Sequence, residues 1–213
     1  MNATLHYYFD PLCGWCHAAA PLIDAAAALP GLALAMHGGG LMSGASARRI
    51  DAGWREYVMP HDARIAQMTG QPFGEAYYDG LLRDIGAPLD STPPIAAILA
   101  AQALGADGLD VLLRLQRAHF VEGRRIAEVP VLVELAADLG LPEDAFAEAL
   151  QKEMAGPVQT HIAQSRQAMA IDRVQGFPSL VLAHADGHRQ RLEPGAFLGR
   201  PEAFAAHLRD ALA

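Results

Sequence analysis

The sequence predicts an α/β protein with a four-stranded mixed sheet, in which a βαβ unit and a ββα unit flank a large all-helical insertion. Two observations predict this fold class. Aromatic and β-branched runs bounded by Gly, Pro or Asp, which are typical of strands, lie near the two ends of the chain. Between them, stretches with helical periodicity follow one another for roughly 130 residues.

The first 45 residues contain the predicted βαβ unit. Thr4 to Phe9 is aromatic and β-branched, which indicates a strand, and Asp10-Pro11 ends it. Cys13 to Leu29 is rich in alanine and predicts a helix. Leu32 to His37 follows as a second strand. The connection between the two strands is long enough for a right-handed crossover, so we expect them to be parallel.

The central block is predicted to be helical throughout. Ser91, followed by prolines, is typical of a capping residue at a helix start. Trp54 and Tyr57 are interpreted as core residues on a helix face, and Arg48 and Arg49 as a solvated basic pair. The predicted helices cover residues 47–69, 72–85, 95–104, 109–120, 130–139, 142–153 and 157–171.

Strand signals return near the carboxyl end. Leu180 to His184 is a short apolar run, Asp186-Gly187 predicts a tight turn, and Arg189 to Glu193 is the partner strand. Glu202 to Leu212 predicts a final helix. We therefore expect a discontinuous sheet domain made of residues 1–45 and 172–213, with residues 46–171 as the inserted helical domain.

Composition excludes several classes of protein. The 213 residues carry 16 Lys and Arg against 24 Asp and Glu, a net charge of −8, which argues against a general nucleic-acid binder. With 52% hydrophobic residues, the chain can bury a core without disulfides. It contains neither an apolar run of about 18 residues nor a recognisable signal peptide. We therefore expect a cytoplasmic protein with no membrane or nucleic-acid partner.

The chemistry is concentrated in one short motif. Cys13 and Cys16 are the only cysteines and are spaced C-x-x-C, too close together to staple a fold. They lie where a strand meets a helix, and the unpaired N–H groups and dipole of a helix start stabilise a thiolate. A C-x-x-C beside a βαβ unit is typical of a thioredoxin-like redox site. Cys13 is then the accessible nucleophile and Cys16 the resolving thiol.

The same cysteine spacing also occurs in zinc sites and in sites of covalent haem attachment. Zinc needs two further ligands, and the nine histidines are scattered without a second C-x-x-C, so no metal is expected. Cys13 to His17 also fits the C-x-x-C-H pattern of covalent haem attachment, but the chain shows no export signal and a strand precedes the motif. His17 is instead expected on the first helix, beside the active turn.

Pro178 is the second part of the predicted site. It follows Gly176-Phe177 and precedes a buried strand. An isolated proline there would mark a strand start in the trans form. A cis X-Pro bond costs only about 0.5–1 kcal/mol relative to trans. Together with a C-x-x-C on a βαβ unit, it favours a cis bond between Phe177 and Pro178.

The sequence resembles the DsbA-like thiol–disulfide oxidoreductase family, in its cytoplasmic FrnE-like branch, over essentially the whole chain. The resemblance is carried by YYFDPLCGWCHAAAP, AHFVEGRRIAEVPVLVELAADLGL and VQGFPSLVL. It implies a thioredoxin fold with a helical domain inserted. It also implies that Cys13 attacks, Cys16 resolves, and a cis Pro178 faces the pair.

The same resemblance suggests the substrate contacts. The backbone of Phe177 is expected to pair with an extended substrate. Gly14 and Trp15 stand where strongly oxidising periplasmic members have Pro-His, which puts a strong oxidant role in doubt. Pro11 and His17, on either side of the turn, complete the candidate substrate-binding residues.

The expected function is thiol–disulfide exchange, as an oxidoreductase or isomerase acting on protein or small-molecule disulfides. The cysteine pair needs no cofactor, although glutathione is a candidate co-substrate. One alternative is a glutathione-dependent isomerase or transferase of the same fold, resembling 2-hydroxychromene-2-carboxylate isomerase. The other is a binding module whose dithiol is idle. The direction of exchange, as oxidase, reductase or isomerase, depends on the charges around the pair.

Overall fold

A computed structural model describes residues 3–212. Its four-stranded sheet has the order β2-β1-β5-β6, with β1 parallel to β2 and antiparallel to β5, and β6 antiparallel to β5. The strands are β1 Ala3–Phe9, β2 Leu32–Gly38, β3 Arg48–Arg49, β4 Pro88–Leu89, β5 Ser179–His184 and β6 Arg189–Leu192. The predicted α/β class and the βαβ and ββα halves are confirmed.

Eight α-helices surround this sheet in residues 3–212. They are α1 Gly14–Ala27, α2 Ala52–Thr69, α3 Thr92–Ala103, α4 Gly108–Phe120, α5 Val129–Asp138, α6 Glu143–Met154, α7 Pro157–Asp172 and α8 Pro201–Leu212. In the same part of the chain, no helix combines the length and apolar character required to cross a membrane.

The central strand β1 is covered on both faces. Leu5, Tyr7 and Phe9 alternate along it and belong to the main core, together with apolar residues of α1. Tyr8 points to the other face, where it packs with Met169 of α7. The strand therefore has buried residues on both faces, as its apolar sequence predicts.

The predicted helical insertion is confirmed, but its first third is not helical throughout. The helix expected over residues 47–69 begins only at Ala52, because the Asp51 carboxylate accepts a hydrogen bond from the N–H of Trp54 and caps it there. The residues before it form β3, which pairs with β4 in a second, two-stranded sheet. The helix expected over residues 72–85 is replaced by a π turn, Ala76–Gly80, and a 3-10 turn, Leu81–Arg83.

The predicted capping role of Ser91 is also wrong. Asp90, not Ser91, accepts the hydrogen bond from the N–H of Thr92. The Ser91 hydroxyl instead accepts from the N–H of Met42 and donates to the Asp10 carboxylate. Ser91 thus joins the helical block to the end of β1. The division into domains 1–45 with 172–213 and 46–171 stays a prediction.

Candidate active site

The active turn connects β1 to α1. The N–H of Cys13 donates to the carbonyl of Asp10, and the Cys13 carbonyl accepts from the N–H groups of Cys16 and His17. Cys13 has extended backbone angles and immediately precedes the first helical residue. Its sulfur therefore lies at the amino end of α1, where the free N–H groups of the helix favour negative charge.

The two cysteines differ in accessibility. The Cys13 side chain is 8% exposed and lines a cavity, whereas Cys16 is 0% exposed. Burial raises the pKa of the Cys16 thiol well above its usual value of 9.0, and hydrogen bonding with Cys13 adds to this effect. The two thiols therefore have different surroundings, with one facing the cavity and the other sealed in the core.

The bond between Phe177 and Pro178 is cis, as predicted. The Cys13 thiol donates to the carbonyl oxygen of Phe177, with 3.4 Å between sulfur and oxygen. The Phe177 ring lies against Gly39, where a Cβ atom would overlap it. The fold thus brings the first and last parts of the chain together around Cys13.

A cavity of about 560 Å³ opens beside Cys13, between the active turn and the helical block. Gly14 and Trp15 line it from the active turn. Arg48 lies at this cavity with its guanidinium 4.6 Å above the Trp54 ring, an arrangement that favours a cation–π contact. Tyr57 also lines the cavity and is 60% exposed, so its interpretation as a core residue is wrong. Trp54 packs partly buried against the core and Arg48 is exposed, in agreement with their predicted settings, and both also line the cavity.

A buried carboxylate, that of Asp62, lines this cavity. Asp62 is 6% exposed, and its Oδ2 accepts a hydrogen bond of 2.7 Å from the Tyr77 hydroxyl. Burial raises the pKa of Asp62 to about 6, against the opposing effect of that hydrogen bond. A Cβ atom on Gly14 would lie 2.7 Å from Asp62 Oδ1, so glycine allows the carboxylate to approach the active turn.

Asp10 is the second buried carboxylate, and sequence reasoning missed it as a site residue. Its oxygens accept hydrogen bonds from the N–H groups of Leu12 and Leu41 and from the Ser91 hydroxyl. Burial raises its pKa to about 6, although these three bonds oppose the rise. Its signal in the sequence is a carboxylate at a strand end directly before proline. Asp10 holds together the active turn, the loop after β2 and the start of α3.

Replacing Asp10 with alanine should lower the free energy of unfolding by about 2–4 kcal/mol, because it leaves three donors without an acceptor, two of them in buried contacts. The folded-state pKa of Asp10, about 6, exceeds its ordinary 3.8, so the folded protein holds this proton more tightly. Its contribution to stability is therefore complete below pH 3.8 and declines as the pH rises to about 6.

Urea unfolding at about pH 4 and pH 7 measures this prediction, and the loss should be larger at the lower pH. Asp51→Ala is the matched control, because it removes an exposed helix cap worth about 1 kcal/mol. An Asp10→Ala loss no larger than that of the control would contradict the role given to Asp10.

Two predicted substrate contacts lie away from the cavity. His17 is 5% exposed, stacks on Phe120 with 4.9 Å between ring centroids, and its Nε2 is 3.0 Å from the Pro72 carbonyl. Burial lowers the pKa of His17, so its ring is neutral at pH 7. Pro11 is buried in the turn after β1. Gly14, Trp15 and Cys13 are brought together at the cavity, and Phe177 reaches Cys13 through its carbonyl oxygen.

No group of three or more potential metal-ligating side chains forms within residues 3–212. The groups that could contact a bound molecule at the cavity are instead a cation, Arg48, a carboxylate, Asp62, and the aromatic rings between them. This set places both signs of charge and aromatic surface beside Cys13.

Comparison with known proteins gives consistent results. Residues 4–209 match the family model described as DSBA-like thioredoxin domain. The chain is similar to the cytosolic disulfide reductase DsbM from Pseudomonas aeruginosa, with 52% identity, 98% of each chain covered and a TM-score of 0.91. It is similarly close to the structure of that protein with GSH, at 50% identity, 98% of each chain and a TM-score of 0.90.

A more distant likeness concerns the fold alone. The 2-hydroxychromene-2-carboxylate isomerase structure is 16% identical, covers 98% of this chain and 97% of its own, and has a TM-score of 0.59. Among curated proteins, none matches the sequence.

Proposed function

Because this chain belongs to the family of DSBA-like thioredoxin domains, we propose that it is a disulfide reductase that draws its electrons from glutathione. The chain is a thiol–disulfide oxidoreductase of the DsbA type. The proposal adds the direction of exchange, the electron donor, the roles of Cys13 and Cys16, and a cytosolic location, in line with the name of the DsbM relative.

The proposed reaction has two halves. Cys13 attacks a substrate disulfide as a thiolate and releases the first substrate thiol. Cys16 then loses its proton and attacks Cys13, which releases the second thiol and leaves the Cys13–Cys16 disulfide. Two glutathione molecules return two electrons to this pair and become glutathione disulfide. The backbone of Phe177, next to Cys13, is the proposed strand-pairing contact for a peptide substrate.

The charges around the pair support the reducing direction. A strong oxidant needs a stabilised reduced form, which in practice means a stabilised thiolate. Here Cys16 is fully buried, and this burial, followed by hydrogen bonding with Cys13, raises its pKa; a backbone hydrogen bond of Asp10 opposes the rise, and the charge of the Asp10 carboxylate adds to it. Asp62 adds a second carboxylate beside Gly14. The helix start and the Asp10 backbone are the opposing influences, and the burial of Cys16 is the feature that supports a reductant.

The cavity supports glutathione as the electron donor. Its volume of about 560 Å³ lies within the range of about 300–1,000 Å³ that is usual for small-molecule sites. Arg48 can pair with a glutathione carboxylate, and Asp62 can accept from its ammonium group. The structure of the DsbM relative is described as one with GSH, which supports glutathione as the electron donor of this chain.

The observation that carries the proposal is the arrangement of one cysteine at the cavity above a second that is sealed from solvent. Redox titration of the pair in glutathione buffers, followed by Trp15 fluorescence, tests it. We expect a reduction potential near that of thioredoxin, about −270 mV. A potential between about −180 and −120 mV would contradict a reductase. Cys13→Ser is the control and should show no redox-dependent change in fluorescence.

A further inference from the structure

Three consecutive glycines, Gly38 to Gly40, end β2 and begin the loop that follows it. Glycine loses more conformational freedom on folding than any other residue, so this glycine segment keeps one conformation only where the rest of the fold holds it. Gly40 has a φ of +65°, in the left-handed region that favours glycine. Gly39 has no positive φ, so the absence of a side chain there has a different reason.

The ring of Phe177 occupies the place where a side chain of Gly39 would lie. A Cβ atom on Gly39 would be 2.2 Å from Cζ of Phe177, so the ring packs directly on the glycine backbone. The carbonyl oxygen of Phe177 accepts the hydrogen bond from the Cys13 thiol, with 3.4 Å between oxygen and sulfur. One residue therefore connects the glycine segment to the attacking cysteine, with its ring on the first and its carbonyl on the second.

Helix α7 holds the glycine segment through two side chains. Arg166 donates from Nε to the Gly39 carbonyl at 2.8 Å and from Nη2 to the Gly40 carbonyl at 2.5 Å. His161 Nε2 accepts from the N–H of Gly38 at 3.1 Å. The planar guanidinium presents its N–H groups in a rigid fork, so Arg166 fixes two consecutive carbonyls relative to each other and to the helix.

We propose that Arg166 is a positioning residue that holds the backbone of Phe177 in place for the binding of a peptide disulfide. The inference rests on the proposed function, in which this backbone pairs with an extended substrate. A binding segment that is already ordered before the substrate arrives gains affinity, because ordering it on binding would cost free energy. Arg166 acts through Gly39 and the Phe177 ring, and it has no contact with the reacting sulfur atoms.

Arg166→Met is the informative substitution, because it keeps a long side chain and removes both donors. Reduced protein is mixed with increasing concentrations of a disulfide, and its oxidation is followed by acid quenching and mass spectrometry. One disulfide is a short peptide dimerised through its cysteine, and the other is 2-hydroxyethyl disulfide, which has no backbone to pair with Phe177.

We expect the half-saturating concentration of the peptide disulfide to rise about tenfold in Arg166→Met, with its limiting rate changed by less than about twofold. Strand pairing is made in the bound complex and in the transition state alike, so its loss weakens binding rather than the chemical step. The rate with 2-hydroxyethyl disulfide should stay within about twofold of the wild type. A loss of stability alone would affect the two substrates equally.

Gly39→Ala interrupts the same series of contacts at the Phe177 ring, which the added methyl group would overlap. We expect the same selective loss with the peptide disulfide. The double variant with Arg166→Met should lose little more than either single variant, because both act through one contact. Gly195→Ala is the matched control, since nothing lies within 4 Å of the Cβ atom it adds.

Two further variants separate positioning from general effects of an arginine. Arg191 is exposed and also donates to a backbone carbonyl, that of Arg173 after the end of α7, so Arg191→Met should leave the reaction with both disulfides unchanged. Arg166→Lys keeps the positive charge without the rigid fork and should retain most of the defect. Full recovery in Arg166→Lys, or equal losses with both disulfides in Arg166→Met, would overturn the inference.

The same experiment separates this inference from the proposed function. If neither disulfide oxidises the reduced wild-type protein, the proposed function fails and the inference fails with it. If the wild type reacts with both disulfides and Arg166→Met behaves identically, only the role of Arg166 fails. Cys13→Ser, which should form the Cys13–Cys16 disulfide with neither substrate, shows that the oxidation measured takes place at the active turn.

Discussion

Substitution of Cys13 by serine is expected to lower the rate of glutathione-dependent disulfide reduction roughly a thousandfold or more. Serine keeps the shape of the side chain, but its hydroxyl is not ionised at neutral pH and does not attack a disulfide. The measurement is the reduction of a small disulfide by glutathione, coupled to the removal of glutathione disulfide. The cavity and the carbonyl of Phe177 remain in place, so binding should persist while turnover is lost.

Arg49→Ser is a suitable control for this loss. Arg49 lies on the exposed strand β3, and its guanidinium donates to the Gly86 carbonyl rather than reaching the active turn. Its removal should leave turnover within about twofold, since exposed contacts of this kind contribute little. If Cys13→Ser keeps the wild-type rate, another group performs the reaction and the idle-dithiol alternative replaces the proposal.

Cys16→Ser is expected to convert Cys13 into a trap for the substrate. Because Cys13 and Cys16 are the only cysteines of the chain, no other thiol of the protein can take over the attack of Cys16 on the mixed disulfide. Cys16 itself is fully buried beneath the active turn. With glutathione disulfide in excess, the variant should accumulate one glutathionyl group per chain, attached to Cys13. Intact-mass measurement followed by peptide mapping identifies this adduct, which wild-type protein should resolve to the Cys13–Cys16 disulfide.

The doubly substituted protein, Cys13→Ser with Cys16→Ser, controls for adducts formed elsewhere and should gain no mass. A different outcome distinguishes the alternative function. If Cys16→Ser binds glutathione saturably, forms no adduct and keeps full activity toward a non-disulfide substrate, the protein works as a glutathione-dependent isomerase or transferase. The likeness to 2-hydroxychromene-2-carboxylate isomerase concerns the fold alone and does not decide between these outcomes.

Parts of the site with a strong local signature were predictable. Cys13 and Cys16 are one turn apart at a strand–helix junction, so their proximity follows from helix geometry alone. The cis bond before Pro178 was predicted by combining a proline signal with this motif, and the structure confirms it. The Phe177 carbonyl contacts Cys13, which is 164 residues away in sequence. That this segment faces the cysteine pair was expected only from the family resemblance.

The missed residues are those whose neighbours come from distant segments. Asp62 lies on α2, and only the packing of that helix over the active turn brings its carboxylate to Gly14. Ser91 has the local signature of a cap, yet Asp10 competes for its hydroxyl because both are buried at the same junction. A local sequence pattern predicts hydrogen bonds between residues that are close in sequence. It contains no information about a partner that the fold brings near from a distant segment.

The sequence by itself determined the α/β class, the two halves of the sheet and the redox motif, because each depends on residues within about one turn or one strand. The cis proline was also predicted from the sequence, by combining the signal at Pro178 with that motif. Only the tertiary structure decided what surrounds the motif. It buried Cys16 in the core, placed Asp10 and Asp62 near the pair, and packed the His17 ring against Phe120 instead of at the cavity. Burial and long-range contacts set the stability of a thiolate, and neither is encoded in the spacing of the two cysteines.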